Sequence, residues 1–456
     1  MPPALAPEPD RDDPATPWSA SVRRTPAGAL EVGGLDVHAI AERFGTPVYV
    51  LDEADLRARA RGYAEAFAEA FADLGGGADV YYAGKAFLSV AVARWVHAEG
   101  LRIDTSTGGE LAVALRAGVP GADIGLHGNN KSDAEVERAL RAGVGRIVLD
   151  SLTELEQVAR IARELGVRAP VMVRVTTGVH AGGHDFIATA HEDQKFGLSL
   201  AGGGARAAVD AALAADELEL LGLHSHIGSQ ILDLSGFEVA ARALLTLRAE
   251  VAADTGVLMP ELDLGGGYGI SYTGEAAPPA PATVARALAD VVRRACAELG
   301  TAPPRVSVEP GRSVVGPSGL TLYRVGTVKP VGLDDGAQRR YVSVDGGMSD
   351  NIRTALYDAE YTAALAGRRS DAEPVPARVV GKHCESGDIV VRDVALPDDV
   401  ARGDLLAVPA TGAYGRSMAS NYNLVPRPGV VAVAGGEARV IVRRETEEDL
   451  LALDEG

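Results

Sequence analysis

From about residue 46 the chain alternates two textures: short β-branched or apolar runs, and longer Ala/Leu/Glu/Arg-rich stretches in which apolar residues recur at i, i+3 and i+4. The short runs predict eight strands: DVYYAG (79–84), LRIDTS (101–106), DIGLHG (123–128), GRIVLD (145–150), APVMVRV (169–175), LLGLHSHI (220–227), ELDLGG (261–266) and RVSVEPG (305–311). LTELEQVARIARELG, before the fifth, carries the helical spacing clearly. Eight βα units in about 265 residues point to an α/β fold of the (β/α)8 TIM-barrel type. An open doubly wound sheet is the competing topology on strand count alone. After about residue 315 the pattern becomes short strand-like runs split by Gly, Pro and Asp, which predicts a mainly β C-terminal domain interrupted by one helical piece, SDNIRTALYDAEY.

The expected organisation is a flexible Pro- and acid-rich arm (1–20), a lead-in (21–45), the barrel (46–315) and the β domain (316–456). ALEVGGLDVHAI, in the lead-in, is a candidate extra strand of the β domain. No internal repeat is evident, and AGGGARAAVDAALAADE, though biased in composition, keeps a helical period.

Composition narrows the function. No apolar run approaches the roughly 18 residues of a membrane span, and 46% hydrophobic with 23% charged residues is a globular balance, not a disordered one. The net charge of −19 repels nucleic-acid phosphates and anionic lipids, so neither nucleic acid nor membrane is expected as a partner. Two cysteines, Cys296 and Cys384, are too few for a disulfide scaffold, and the absence of a basic-then-apolar N-terminus fits a cytoplasmic protein.

Barrels assemble their sites at the C-terminal ends of the strands. The first strand here ends in Lys85, the sixth in His224-Ser225-His226-Ile227-Gly228-Ser229, the seventh in Gly265-Gly266-Gly267-Tyr268-Gly269, and the eighth in Glu309-Pro310-Gly311-Arg312. Only five lysines stand among 44 basic residues, and Lys85 lies between small neighbours that leave room for an adduct on its amine; the bland reading is a surface lysine. The glycine run offers backbone N–H groups to a phosphate, with Ser229 as an added hydroxyl donor, though a tight βα turn explains it equally well. His226 is placed to stack on a flat cofactor, whereas His224 reads as a buried structural histidine. Glu309, on a rigid turn, could face a pyridine nitrogen and keep it protonated. Arg312 and Arg353 could grip carboxylates, Tyr357 follows Arg353 at i+4, and Tyr414 lies in TGAYG. Cys384 and Glu385 put a thiol beside a carboxylate, although a lone cysteine is more often inert. His180, His184 and His191 do not match a metal signature, so no metal is expected. Lys195 is the one other lysine placed to compete with Lys85.

Taken in order along the chain, YYAGKA, HSHIGSQ, LDLGGGYG, EPGR, CESGD and GAYG resemble the fold-type III PLP-dependent decarboxylases, from about residue 30 to about 445. DNIRTALYDAEY, HCESGD and SMASNYN are similar to the branch of that family acting on diaminopimelate rather than on ornithine or arginine. The resemblance implies pyridoxal 5'-phosphate held as an aldimine on Lys85, with His226 on the ring, Ser229, Gly266 and Gly267 at the phosphate, and Glu309 at the pyridine nitrogen. Gly311, Arg312 and Tyr414 would lie near the cofactor. Arg312, Arg353 and Tyr357 would hold the distal carboxylate and Glu385 the distal ammonium of the substrate. It further implies a homodimer in which Cys384 and Glu385 reach the partner's site, Cys384 acting as proton donor. The expected reaction is decarboxylation of meso-2,6-diaminopimelate to L-lysine. A related decarboxylase for ornithine, arginine or lysine is the alternative, and a racemase, a non-catalytic PLP carrier and a plain barrel scaffold are the more distant rivals.

Overall fold

The computed structural model describes residues 5–179, 195–333 and 338–456. Its chain forms two compact units. One comprises 59–269 and 279–311, the other 1–58, 270–278 and 312–456.

The first unit is a closed parallel barrel. Its eight strands are Ala78–Ala83, Arg102–Thr105, Ile124–Leu126, Arg146–Leu149, Ala169–Thr176, Leu218–His224, Glu261–Asp263 and Arg305–Val308, numbered first to eighth below. Each pairs in parallel with the next, and the eighth pairs with the first through Val306↔Ala78 to close the ring. Ring closure excludes the open-sheet alternative. Ile103, Leu126, Ile147, Val171, Leu262 and Val306 are fully buried, as strands covered on both faces require. Several helices start on a Ser or Thr that satisfies the orphan N–H groups of the first turn: Ser89, Thr107, Ser132 and Ser151 accept from Val92, Glu110, Glu135 and Glu154.

The second unit is a β sheet, with nine strands among the described residues, ordered Ile389–Pro397, Pro374–Val380, Gln338–Val344, Gly319–Gly332, Val48–Asp52, Val430–Ala434, Glu437–Val442, with Leu405–Val408 and Ala364–Leu365 off that path. The early strand that joins this sheet is therefore Val48–Asp52, read from sequence as the start of the barrel. It pairs with Gly319–Gly332 and Val430–Ala434. The ALEVGGLDVHAI stretch instead supplies Leu30–Val32 and Leu35–Asp36, which with Arg23–Arg24 make a separate three-stranded sheet. Residues 5–20, expected to be a flexible arm, are tied down. Trp18 is 1% exposed inside an apolar cluster with Val22, Leu30 and Ile40, its indole N–H donates to the Pro7 carbonyl (2.7 Å), and the Ser19 hydroxyl donates to Asp52 (2.9 Å). One buried aromatic outweighs the Pro-rich composition around it. The helical piece is short, Arg353–Tyr357, and is stopped by Asp358 at φ 50°.

Candidate active site

Lys85 leaves the first strand on a one-turn 3-10 helix, Gly84–Ala86, and its side chain is exposed between two buried neighbours. That turn is clasped to the end of the eighth strand: the Ala83 N–H donates to the Pro310 carbonyl (3.2 Å), and a Cβ on Gly311 would come within 2.8 Å of the Ala83 carbonyl oxygen. Glu309, one residue before Pro310, is buried, and its N–H donates to the Gly265 carbonyl (2.9 Å). The lysine and the carboxylate are thus held by adjoining strands in one frame.

The glycine run is required by packing. A Cβ on Gly266 would lie 2.1 Å from the Glu309 carbonyl oxygen, and one on Gly267, at φ +103°, 2.3 Å from that of Gly228. Of its N–H groups, Gly265 donates to Asp263 (2.7 Å) and Gly266 to the Nδ1 of His226 (3.3 Å), while the Gly267 N–H has no partner among the described residues. The bond from Gly266 fixes His226 as the Nε2–H tautomer. Desolvation and the Lys85 amine hold its pKa well below the usual imidazole value, so the ring is neutral. Ser229 is exposed on the same segment.

Under Glu309 lies a buried polar cluster of which the sequence revealed only the buried His224. His224 Nε2 is hydrogen-bonded to Glu309 Oε1 (3.0 Å), and His127 Nε2, at the end of the third strand, lies 3.3 Å from the same oxygen and 3.1 Å from Asp104 Oδ1. Arg146 donates to Asp263 (2.5 Å) and Ser307 (2.8 Å), stacks its guanidinium 3.6 Å over the Tyr81 ring, and reaches to 3.6 Å from Asp104 and 4.0 Å from Glu309. Two imidazoles and a carboxylate are also cation-ligand types, but here a guanidinium already brings positive charge to them. Burial and the Asp104 charge push Glu309 up, yet the two imidazoles outweigh them and hold it below the usual carboxylate range. Burial pushes Asp104 up to about 6 against the pull of Arg146.

In the second unit Arg312 and Arg353 come together around tyrosines. Arg312 is hydrogen-bonded to the Tyr272 hydroxyl and lies 4.7 Å over the ring of Tyr414, which sits at φ 61°. Arg353 donates to the Tyr361 hydroxyl (2.5 Å) and lies 4.8 Å over the Tyr272 ring. Both arginines are buried, and Arg353 has no carboxylate within ion-pair distance among the described residues. Tyr357 does not join them. It is 59% exposed, because the helix stops at Asp358 and the returning chain delivers Tyr361 to Arg353 instead. Tyr272 and Tyr361 were missed because neither falls in a motif or at a helical spacing from an arginine.

Cys384 and Glu385 are exposed, on a loop that is firmly fixed. Asp388 accepts from the N–H groups of Met348 (2.6 Å) and His383 (2.7 Å), and the His383 ring bridges Ser349 (2.8 Å) and Asn423 (3.1 Å). The Glu385 carboxylate accepts from the Gly387 N–H (3.1 Å), which holds its pKa down. Lys195 is exposed with its ammonium 4.8 Å from the Phe196 ring, and the buried lysine is Lys131, bonded to Glu154 (2.5 Å). His180, His184 and His191 lie outside the described residues.

The family described as pyridoxal-dependent decarboxylase, pyridoxal binding domain, matches residues 54–316. That match and the closed barrel make the chain a barrel-type pyridoxal-dependent decarboxylase. The diaminopimelate decarboxylase of Mycobacterium tuberculosis is 53% identical over 441 residues, covering 96% of this chain and 97% of that protein, and the Bacillus subtilis one is 44% identical over 432 residues, covering 95% and 96%. A crystal structure of the M. jannaschii diaminopimelate decarboxylase in complex with L-lysine superposes with a TM-score of 0.89 at 32% identity, covering 96% of this chain and 98% of that one. The chain belongs to the diaminopimelate decarboxylases.

Proposed function

We propose that this chain decarboxylates meso-2,6-diaminopimelate to L-lysine and CO2 with pyridoxal 5'-phosphate as cofactor. The observation that carries the reading is the clasp between the Lys85 turn and the Glu309 turn, which sets an exposed amine and a buried carboxylate at adjoining strand ends. The donor set fits the cofactor: an amine for its aldehyde, a neutral imidazole for its ring face, an unengaged N–H at Gly267 with the Ser229 hydroxyl for its phosphate, and an ionised carboxylate for its nitrogen. When bound, the cofactor supplies an electron sink for the pair left as CO2 departs.

The chain's own residues do the rest. Lys85 would anchor the cofactor through its amine, the position at which the substrate's own amine would replace it. His226 would cover one ring face, Gly311 permits the close approach to the Lys85 turn, and Arg312 and Tyr414 would bound the cofactor end of the substrate. Arg353, buried without a carboxylate partner among the described residues, takes the distal carboxylate through two parallel hydrogen bonds, with Arg312 assisting; the exposed Tyr357 could reach that carboxylate only by turning inward. Glu385 takes the distal ammonium. A basic mono-acid such as ornithine leaves the buried Arg353 unpaired, which disfavours it.

The active form is a cytoplasmic homodimer in which Cys384 delivers the proton to Cα across the interface. The exposure of Cys384, Glu385 and Tyr357, with Leu424 73% exposed, supports a partner surface there. No helix among the described residues is long and apolar enough to cross a membrane.

CO2 release from meso-diaminopimelate, L-ornithine, L-arginine and L-lysine, measured in parallel with product identification, tests the substrate. Lysine from diaminopimelate alone is the expected result, and turnover of only a basic mono-acid overturns the roles of Arg353 and Glu385. Lys85→Ala is expected to abolish cofactor attachment, whereas Cys384→Ala retains the cofactor and loses turnover. Mixing the two inactive variants tests sharing across the interface: random exchange into a two-fold dimer restores up to about a quarter of wild-type activity, and no recovery under exchange rejects it.

A further inference from the structure

Beneath Glu309 the barrel interior carries more negative charge than its nearest fixed cation can balance. Asp104, Asp263 and Glu309, from the second, seventh and eighth strands, are all buried, and Arg146 is the guanidinium among them. Arg146 is committed to Asp263 and Ser307, so Asp104 and Glu309 lie at its periphery, at 3.6 and 4.0 Å. Neither oxygen of Asp104 accepts an aligned hydrogen bond among the described residues. A carboxylate buried that way is costly and would not be kept for packing alone.

The group between the two carboxylates is His127. Its Nε2 stands 3.1 Å from Asp104 and 3.3 Å from Glu309, squarely aligned with neither, and its ring meets that of His224 edge-on at 5.1 Å. Nε2 thus stands within reach of both carboxylates and is hydrogen-bonded to neither in this geometry.

The placement of this imidazole is built, not incidental. The His127 N–H donates to the Thr105 carbonyl (2.7 Å), and the turn that follows is tethered by Lys131, whose buried ammonium donates to the carbonyls of Gly128 and Val148 (2.7 Å each) and to Glu154. Gly125, two residues before His127, is equally specific: a Cβ there would stand 2.6 Å from Asp104 Oδ1. Other titratable and charged groups facing the cluster are Tyr81 beneath the guanidinium, Tyr268, His224, His226, Lys85 and Arg174, with Glu110 coupled to Asp104 and Glu261 to Arg146 and Asp263.

We infer that Asp104 and His127 are positioning residues for Glu309: the imidazole wedged between the two carboxylates keeps Glu309 aimed, and the second carboxylate adds its negative charge beneath the site, so that together they keep the cofactor's pyridine nitrogen protonated. The inference rests on the reading of Glu309 as that nitrogen's partner. The charge count gives it direction. Three carboxylates and one guanidinium leave a surplus of two negative charges, and a pyridinium takes up one of them. Burial alone would push Glu309 towards its neutral form; its displacement below the ordinary range, with Asp104 displaced above it, puts any excess proton on Asp104 and leaves Glu309 as the anion.

The test reconstitutes the enzyme with 15N-labelled pyridoxal phosphate and reads the protonation of the ring nitrogen by NMR across pH, with cofactor loading measured as the borohydride-fixed adduct at Lys85. The wild type is expected to keep the nitrogen protonated and Glu309→Gln to lose it. His127→Ala and the isosteric Asp104→Asn load the cofactor normally but release the nitrogen's proton at a pH lower by about one unit, a roughly tenfold change in the protonation equilibrium. Both lower kcat at nearly constant KM, and His127→Gln, which retains a donor N–H, recovers part of the shift. An unchanged nitrogen titration in His127→Ala and Asp104→Asn, with Glu309→Gln deprotonated, overturns the inference and leaves the Glu309 reading standing. A nitrogen still protonated in Glu309→Gln overturns the Glu309 reading itself.

Discussion

On the proposed function, substrate choice turns on Arg353. Its guanidinium is buried, hydrogen-bonded to Tyr361 and stacked by Tyr272, yet lacks a carboxylate partner among the described residues. A planar fork held in this way is pre-organised for a carboxylate, and a lysine ammonium is not an equivalent. Arg353→Lys is expected to lower kcat/KM for diaminopimelate about thirtyfold, or roughly 2 kcal/mol, chiefly through KM; an unchanged KM would remove Arg353 from the substrate. Tyr361→Phe removes the hydroxyl that fixes the fork, and steady-state kinetics should show a smaller loss in the same direction. Burial and the neighbouring Tyr272 push that hydroxyl up to about 12, so it remains a neutral hydrogen-bonding group throughout the working range.

At the scale of elements, the chain's local pattern announces what is local. All eight barrel strands lie within a few residues of the apolar runs that predicted them, because a strand buried on both faces is a continuous apolar run and its end is marked by Gly, Pro or a charged residue. Val48–Asp52 has the same texture, VYVLD, but its partners begin about 270 and 380 residues further along, and no short-range pattern records which sheet it joins. The site divides the same way. Lys85 and Glu309 were legible because each ends a strand beside small residues, whereas Asp104, His127 and Arg146 come from three separate strands and meet only when the ring closes. Glycine is where sequence and packing meet most directly. Gly266→Ala places a methyl 2.1 Å from a backbone oxygen and is expected to cost about 1–3 kcal/mol as an overpacked position, seen as a lower Tm and weakened cofactor retention. Gly109→Ala, in the helix Gly108–Arg116 with its nearest neighbour 3.7 Å away, should instead raise Tm slightly. Equal behaviour of the two variants would contradict the packing account.

For the whole molecule, buried ionisable groups make stability depend on pH in opposing ways. Asp350, buried in the β sheet unit, is pushed up to about 7 by burial and the neighbouring Asp345 and Asp388, although its carboxylate accepts from the Gly347 N–H (3.0 Å). The folded state therefore binds a proton between about pH 4 and pH 7 that the unfolded chain has released, and stability falls as pH rises through that window. His226 acts in reverse: it is held neutral in the fold, so the unfolded chain takes up a proton below about pH 6.5 and stability falls as pH is lowered. The net profile of the wild type mixes these contributions, and one substitution separates them. Asp350→Asn cannot ionise, so the Asp350 contribution disappears while the His226 contribution remains. Relative to wild type, the variant should gain stability progressively from pH 4 to pH 7, by roughly 4 kcal/mol for a displacement of about three pH units, and the gain should level off above pH 7. The comparison is made on the cofactor-free protein by calorimetry, so that cofactor binding does not add its own linkage. A Tm difference between variant and wild type that stays flat from pH 4.5 to 8 would mean that Asp350 is already ionised in the fold at acid pH, and that the backbone N–H of Gly347 outweighs burial at this carboxylate.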